Sequence, residues 1–281
     1  MTTVGESGTR PPASRLDFGG AGRDGPTVTR DPLLSVRELR VSFGGLVAVA
    51  GATFDVRPGT ITGLIGPNGA GKSTVVNAIA GQVRTASGRV SFDGHELLGQ
   101  KPHAIASLGI RRSFQIANLF DSMTVIENLL IGARPWDGEN VRACFVGRRR
   151  WRRRESELAS KAMSIMDHFG VRKLADEVAG NLSGGQKRIL ELMRILMSDP
   201  KMMLLDEPMA GINPVLVQTI AEHLRRLRDE GTTMLMIEHD LSLIEELCDS
   251  VIVMANGAVI AEGSLEVLRE NEMVVNAYLA G

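Results

Sequence analysis

The feature that most constrains the fold is a glycine-rich segment that fits the pattern G-x-x-x-x-G-K-[ST]. An apolar stretch at residues 60–65 precedes it and predicts a buried strand, while residues 72–82 carry apolar side chains at helical spacing. Glycines let the backbone turn so that successive N–H groups point at an anion, and the following helix adds its dipole. The segment therefore predicts a phosphate-binding loop in an α/β fold; a chance glycine turn is the alternative, and the flanking elements argue against it.

The residue types in this loop also indicate its ligands. Lys72 supplies a compact positive charge for the β- and γ-phosphates, and the hydroxyl of Ser73 can bind Mg²⁺. The loop alone indicates a nucleotide and does not identify the kind of protein that uses it. The predicted nucleotide-binding residues of this segment are Gly66, Pro67, Asn68, Gly69, Ala70, Gly71, Lys72, Ser73 and Thr74.

Composition excludes several other classes of protein. The 281 residues suffice for one large α/β domain with a smaller lobe. A net charge of −1 provides no field that would attract nucleic acid, and no stretch approaches 18 uncharged apolar residues, so we expect no membrane span. Cys144 and Cys248 are far apart and favour a reduced compartment over a disulfide scaffold. Residues 1–32, rich in Gly, Thr, Pro and Arg, predict a disordered tail.

Strand and helix patterns alternate along the rest of the chain. Strands are predicted at residues 34–41, 60–65, 89–93, 202–205 and 232–237, and helices at residues 72–82, from Pro214 onwards and at residues 241–247. Residues 112–200 are helical in period. The alternation predicts a largely parallel sheet covered on both faces.

Two further segments narrow the interpretation to a family. Leu182-Ser183-Gly184-Gly185-Gln186 and then Leu204-Leu205-Asp206-Glu207-Pro208 follow the phosphate-binding loop. With these motifs in this order, residues 33–281 closely resemble the ATP-binding cassette (ABC) family. The resemblance implies a P-loop NTPase of ABC type: an α/β domain with a mixed, largely parallel sheet core, an antiparallel β region and a helical subdomain at about residues 113–199.

The resemblance also implies ATP and Mg²⁺ as ligands and assigns roles to single residues. Asp206, at the carboxyl edge of the sheet, would bind Mg²⁺ together with Ser73 and Gln115. Glu207 would be the general base, and strand alternation would point it away from Asp206. Gln115 would also reach the attacking water, while its loop touches the membrane partner.

Two more site residues follow from the same motif order. His239 resembles the histidine that contacts the γ-phosphate, and Phe43 resembles the aromatic residue that stacks on adenine. Each has a structural alternative: a salt bridge for Glu207, a surface position for His239 and a core position for Phe43.

The segment at Ser183 opens a predicted helix whose first N–H groups form a second anion site. In the family, this signature motif (Ser183, Gly184, Gly185 and Gln186) completes the site of the opposite subunit, so that two subunits sandwich two ATP molecules. The implied partners are a second ABC ATPase, either a related chain or a second copy, and two membrane permeases. An extracytoplasmic substrate-binding protein would act indirectly, and the chain would lie on the cytoplasmic face of the membrane.

One position departs from the family pattern. Many members carry an aspartate where this chain has Asn213. Asparagine keeps hydrogen-bonding capacity and loses the charge, so cross-subunit contacts assigned to that aspartate are in doubt here.

Several stretches resemble the larger ATPase subunit of branched-chain amino acid importers: residues 112–115, 123–129, 207–214 and 274–281, and the long connection at 133–154. Importers of urea or amides and the ATPase of lipopolysaccharide export are alternatives. ABC ATPases that act on DNA or ribosomes, and a regulator without turnover, fit less well.

A basic cluster at residues 148–154 holds six arginines around Trp151. A solvated surface, partly offset by Glu155 and Glu157, is the simpler interpretation. Contact with lipid headgroups or with a permease loop is the sharper one.

Overall fold

A computed structural model describes residues 31–83, 87–113, 119–133 and 148–279. Three sequence predictions fall outside these residues: most of the tail at 1–32, the site residue Gln115, and Cys144. The side chains of residues 148–152 in the basic cluster are not described either. None of the helices that the structure describes combines the length and the apolar character needed to cross a bilayer.

The core is a six-stranded sheet. Its strands are Ile61–Ile65 (β3), Ile110–Arg112 (β6), Met202–Asp206 (β7), Thr233–Ile237 (β8), Ser250–Ala255 (β9) and Ala258–Gly263 (β10). They lie in the order β10-β9-β3-β8-β7-β6. Within this sheet, strands β6, β7, β8, β3 and β9 run parallel, and only the edge pair β9–β10 is antiparallel. Strands β3, β7 and β8 are buried at every position.

A second, antiparallel sheet has the order β2-β1-β4-β5. Its strands are Leu34–Phe43 (β1), Leu46–Val56 (β2), Ser87–Phe92 (β4) and His95–Glu96 (β5). The expected mixed fold with an antiparallel region is therefore confirmed. The sequence patterns predicted β1 and β4, whereas β2 and the β9–β10 pair were not singled out.

Helix α1, Lys72–Ile79, lies between the two sheets. Its side chains Val75, Val76 and Ile79 are fully buried in one apolar cluster with residues of both sheets. The helix was expected to extend over residues 72–82 but ends at Ile79, because the chain turns at Gly81, whose φ is 69°. This packing fixes the direction of the phosphate-binding loop at the amino end of the helix.

The helices that follow residue 124 cover the other face of the core sheet, whereas helix Pro102–Leu108 packs on the same apolar cluster as α1 through Ile105. A second apolar cluster joins that face to the helices that follow residue 124. Pro214 opens its helix as predicted, and Ile220, Ala221 and Leu224 point inward. The bounds are Pro102–Leu108 (α2), Val125–Ile131 (α3), Arg148–His168 (α4), Gly184–Leu196 (α5), Pro214–Asp229 (α6), Leu241–Leu247 (α7), Leu265–Arg269 (α8) and Glu272–Leu279 (α9).

A histidine pair joins the end of α4 to the middle of α6. The ring centroids of His168 and His223 are 5.6 Å apart, and Phe169 lies 4.2 Å from His223. Burial, and then repulsion from His168 and Arg226, lowers the pKa of His223 from 6.5 to about 4. The unfolded chain therefore takes up this proton at a higher pH than the folded chain.

The pKa of His223 predicts a pH-dependent stability. The contribution of neutral His223 is complete above pH 6.5 and is lost as the pH falls toward about 4. His223→Phe lacks this titration. When the pH falls from 7 to 5, its unfolding free energy should therefore decrease by about 2 kcal/mol less than that of the wild type, as measured by urea denaturation. His103→Phe, at an exposed position of α2, is the control and should behave as the wild type. Identical losses in all three proteins would contradict this assignment.

Candidate active site

The phosphate-binding loop connects β3 to α1 and leaves no room for side chains at its two outer glycines. Gly66 and Gly71 have φ values of 145° and 97°. A Cβ at Gly66 would lie 2.0 Å from the carbonyl oxygen of Met254, and one at Gly71 would lie 2.4 Å from that of Ala48. At Gly69, by contrast, no atom from the described part of the chain lies within 4 Å of the corresponding position. The loop is therefore held from behind and open at its middle.

Lys72 lies buried at the mouth of this loop. Its Nζ donates to the carbonyl oxygens of Gly66, at 2.7 Å, and Pro67, at 2.9 Å. Burial lowers the pKa of Lys72, while the charges of Glu207 and Asp206 act in the opposite direction. The ammonium group is thus placed between the loop and two carboxylates, where it can exchange its carbonyl partners for phosphate oxygens.

Asp206 is the last residue of β7 and is fully buried. Its Oδ2 lies 2.9 Å from Nη2 of Arg112, and its Oδ1 has no hydrogen-bond partner within the ranges that the structure describes. A buried carboxylate oxygen without a donor fits a hard cation such as Mg²⁺, for which Ser73 at the start of α1 offers a second oxygen. Gln115, the third predicted ligand, lies outside the described residues.

Glu207 follows the strand in a left-handed backbone conformation, with φ of 49°. The expectation that strand alternation orients this side chain is therefore wrong, because β7 ends at Asp206 and the chain turns sharply after it. The Glu207 N–H donates to the carbonyl of Ile237 at 3.0 Å. Its Oε1 lies 2.8 Å from Nε2 of His239, which follows β8. Both side chains line one open cleft of about 480 Å³.

Glu238 also belongs to this site, although the sequence did not single it out. Its carboxylate is buried and accepts hydrogen bonds from the backbone N–H groups of Met209, at 3.0 Å, and His239, at 3.3 Å. Burial raises the pKa of Glu238, and these two bonds oppose that effect. The side chain thus ties the loop after β7 to the loop after β8 and fixes the distance between Glu207 and His239.

The signature motif forms the amino end of α5, as predicted. Ser183 caps the helix: its Oγ accepts from the Gln186 N–H at 3.4 Å, and the Gln186 side chain accepts from the Ser183 N–H at 2.9 Å. One of the N–H groups expected to be open is therefore already bonded. Within the described ranges, residues 183–186 bond to their own helix turn and not to residues 66–74.

The two signature glycines have different surroundings. A Cβ at Gly184 would meet no atom of the described residues within 4 Å, whereas one at Gly185 would lie 1.6 Å from Cδ2 of Leu216. Gly185 thus allows α5 to pack closely on the start of α6. Gly184 leaves the helix end open for approach from outside.

Phe43 and Asn213 both lie at the ends of secondary-structure elements. Phe43 ends β1 and is 52% exposed, so it is not a core residue. It pairs with Leu46 in a hairpin that leads to Ala48, which contacts Gly71. Asn213 caps α6, its Oδ1 accepting from the Leu216 N–H at 3.0 Å. The amide performs this role without a charge.

The sequence analysis gave no role to two arginines, Arg112, which is partly buried, and Arg188, which is buried. Arg112 on β6 pairs with Asp206 and also reaches Asn77 and Gln82. Arg188 on α5 contacts the backbone at Glu207. The sequence did contain a signal for Arg188, because this charged residue stands beside Ile189 on the apolar face of a predicted helix.

The chain resembles known proteins both in sequence and in structure. A family model described as "ABC transporter" matches residues 49–210. The probable branched-chain amino acid transport ATP-binding protein LivG of Archaeoglobus fulgidus is 41% identical over 247 residues, covering 88% of this chain and 95% of the relative. The corresponding high-affinity proteins BraF of Pseudomonas aeruginosa and LivG of Escherichia coli are 38% and 37% identical over 249 residues, covering 88% of this chain and 98% of each relative.

Solved structures give the same result. An ATP-binding cassette of an ABC transporter in its ADP conformation superposes with a TM-score of 0.78 at 36% identity, covering 90% of this chain and all of the other. A nucleotide-free ATP-binding cassette from an ABC transporter has a TM-score of 0.75 at 36% identity, covering 88% of this chain and 98% of the other.

The surroundings of Gly184 and Gly185 predict that replacement by alanine affects the stability of the protein differently at the two positions. Gly185→Ala should lower the unfolding free energy by about 1–3 kcal/mol, because the added methyl group displaces Leu216. Gly184→Ala is the matched control and should leave stability unchanged or slightly raised. In a Leu216→Ala background, Gly185→Ala should cost less. Urea denaturation measures all three, and equal effects at both glycines would refute the assignment.

Proposed function

The chain belongs to the ABC transporter family as an ATPase subunit, and from this premise we propose that it powers the import of branched-chain amino acids through separate membrane permeases. The observation that carries the catalytic part is the 2.8 Å contact between Glu207 and His239. It lies beside the buried ammonium of Lys72 and the Asp206 oxygen that has no hydrogen-bond partner among the described residues. The cargo is supported by the names of the relatives, which are branched-chain amino acid transport ATP-binding proteins.

Each side chain has a role in hydrolysis under this proposal. The backbone N–H groups of the loop at 66–73 and Lys72 bind the phosphates, and Phe43 stacks on adenine. Glu207 accepts a hydrogen bond from the attacking water and orients it in line with the γ-phosphate, while His239 holds Glu207 and reaches the same phosphate. Ser73 and Asp206, with Gln115, would hold Mg²⁺, which when bound neutralises charge on the phosphate oxygens.

The partner is a second ATPase of the same type. The open helix end at Gly184 supports this part of the proposal, because that N–H-rich terminus can bind the phosphates of an ATP held by another subunit. Two chains, related or identical, would sandwich two ATP molecules. The pair would bind two permeases on the cytoplasmic face of the membrane, and an extracytoplasmic substrate-binding protein would deliver the cargo.

Glu207→Gln tests the proposed general base. The amide cannot take up the proton of the attacking water, so turnover should fall by about 100-fold or more while ATP binding is retained. The measurement is phosphate release and nucleotide binding by the chain assembled with its permeases in lipid vesicles.

The matched control is Glu222→Gln, at an exposed position of α6, which should keep wild-type turnover. Normal turnover of Glu207→Gln would exclude Glu207 as the base. ATP-dependent uptake of labelled leucine, isoleucine or valine by the wild-type vesicles tests the cargo, and uptake of none of them would contradict it.

A further inference from the structure

Arg188 concentrates an unusual number of hydrogen bonds on one turn of backbone. Its Nε donates to the carbonyl of Pro208 at 3.0 Å, and its Nη2 donates to the carbonyls of Glu207, at 3.0 Å, and Asp206, at 3.4 Å. Three successive carbonyl groups thus converge on one guanidinium group. The Arg188 side chain is only 9% exposed, so these bonds lie away from competing water.

This turn requires such support. Glu207 is a non-glycine residue at positive φ, a conformation that persists only where the surroundings stabilise it. The pairing of β7 with β8 ends at Asp206, so the carbonyls that follow need partners outside the sheet. Arg188 donates to both of these carbonyls, and the Ala210 N–H also donates to that of Glu207 at 3.1 Å. The guanidinium group thereby fixes the direction in which the Glu207 side chain leaves the backbone.

The charge of Arg188 is balanced within the same helix. Its Nη1 lies 2.5 Å from Oε2 of Glu191, whose side chain is 7% exposed. A buried pair of this kind rarely adds net stability compared with apolar residues of the same volume. Net stability therefore does not account for this buried pair, whereas a positional role does. The planar fork of arginine, which lysine lacks, is what reaches three carbonyls at once.

The helix that carries Arg188 also carries the signature motif. The open turn at Gly184 and the guanidinium group of Arg188 lie one turn apart on α5. We propose that Arg188 is a positioning residue for Glu207 and couples the signature helix, which serves the nucleotide of a second ATPase, to the hydrolytic centre of its own chain. This inference rests on the proposed function, since it requires Glu207 to be the base.

The test removes both charges of the pair together, so that neither Arg188 nor Glu191 is left buried without the other. Arg188→Met combined with Glu191→Met keeps the volume of both side chains, so the protein should fold. Met cannot hold the turn, so kcat of the chain assembled with its permeases should fall by about tenfold or more. The Kd for ATP and the KM should stay within about twofold of the wild type, since the phosphate-binding loop is untouched.

The matched control removes an exposed ion pair in the same way. Arg269 and Glu245 are about half exposed and join α8 to α7; replacing both by Met should leave kcat unchanged. An unchanged kcat in the Arg188–Glu191 variant would overturn the inference, as would a parallel loss of ATP binding and turnover, which indicates a purely structural role. If Glu207→Gln retains turnover, the proposed function fails and this inference fails with it. If the Arg188–Glu191 double variant retains turnover and Glu207→Gln does not, only this inference fails and the proposed function stands.

Discussion

The site depends on a single packing constraint, the contact of the glycine loop with backbone carbonyls of two sheets. Met254 lies in the core sheet and Ala48 in the antiparallel sheet, and each places its carbonyl oxygen where a side chain on Gly66 or Gly71 would stand. The turn at Gly257 joins the same surfaces, donating to Ala70 and accepting from Ala50. Because the back of the loop is closed in this way, a ligand has to approach its N–H groups from the other side.

Strand direction brings the remaining groups to that ligand. Strands β3, β7 and β8 are adjacent and parallel, so their carboxyl ends meet at one edge. At these three ends lie the phosphate-binding loop, Asp206 and His239. Parallel strands alone fix only approximate positions, and the finer geometry comes from buried charged side chains. Glu238 sets the spacing of the loops after β7 and β8, while Arg188 holds the turn at Glu207.

Local sequence was sufficient for the parts of the site that depend on neighbouring residues. The loop at 66–73, the cap at Ser183 and the helix opened by Pro214 each have their cause within a few positions. Sequence was insufficient where the cause is tertiary. The left-handed conformation of Glu207 depends on bonds from α5 and β8, and the pairing of Arg112 with Asp206 joins residues 94 positions apart. The depressed pKa of His223 likewise arises from the packing of α4 on α6.

The central claim is that two ATPase chains must close around ATP. Lys72, Glu207 and His239 gather at one end of the core sheet, whereas the helix end at Ser183, among the residues that the structure describes, bonds within its own turn. Sedimentation velocity of the Glu207→Gln chain with saturating ATP and Mg²⁺, alone and together with its permeases, tests this claim most directly. The account predicts that ATP brings two ATPase chains together and that a further Ser183→Arg substitution separates them without loss of ATP binding. Single ATPase chains at saturating ATP in both preparations would contradict it.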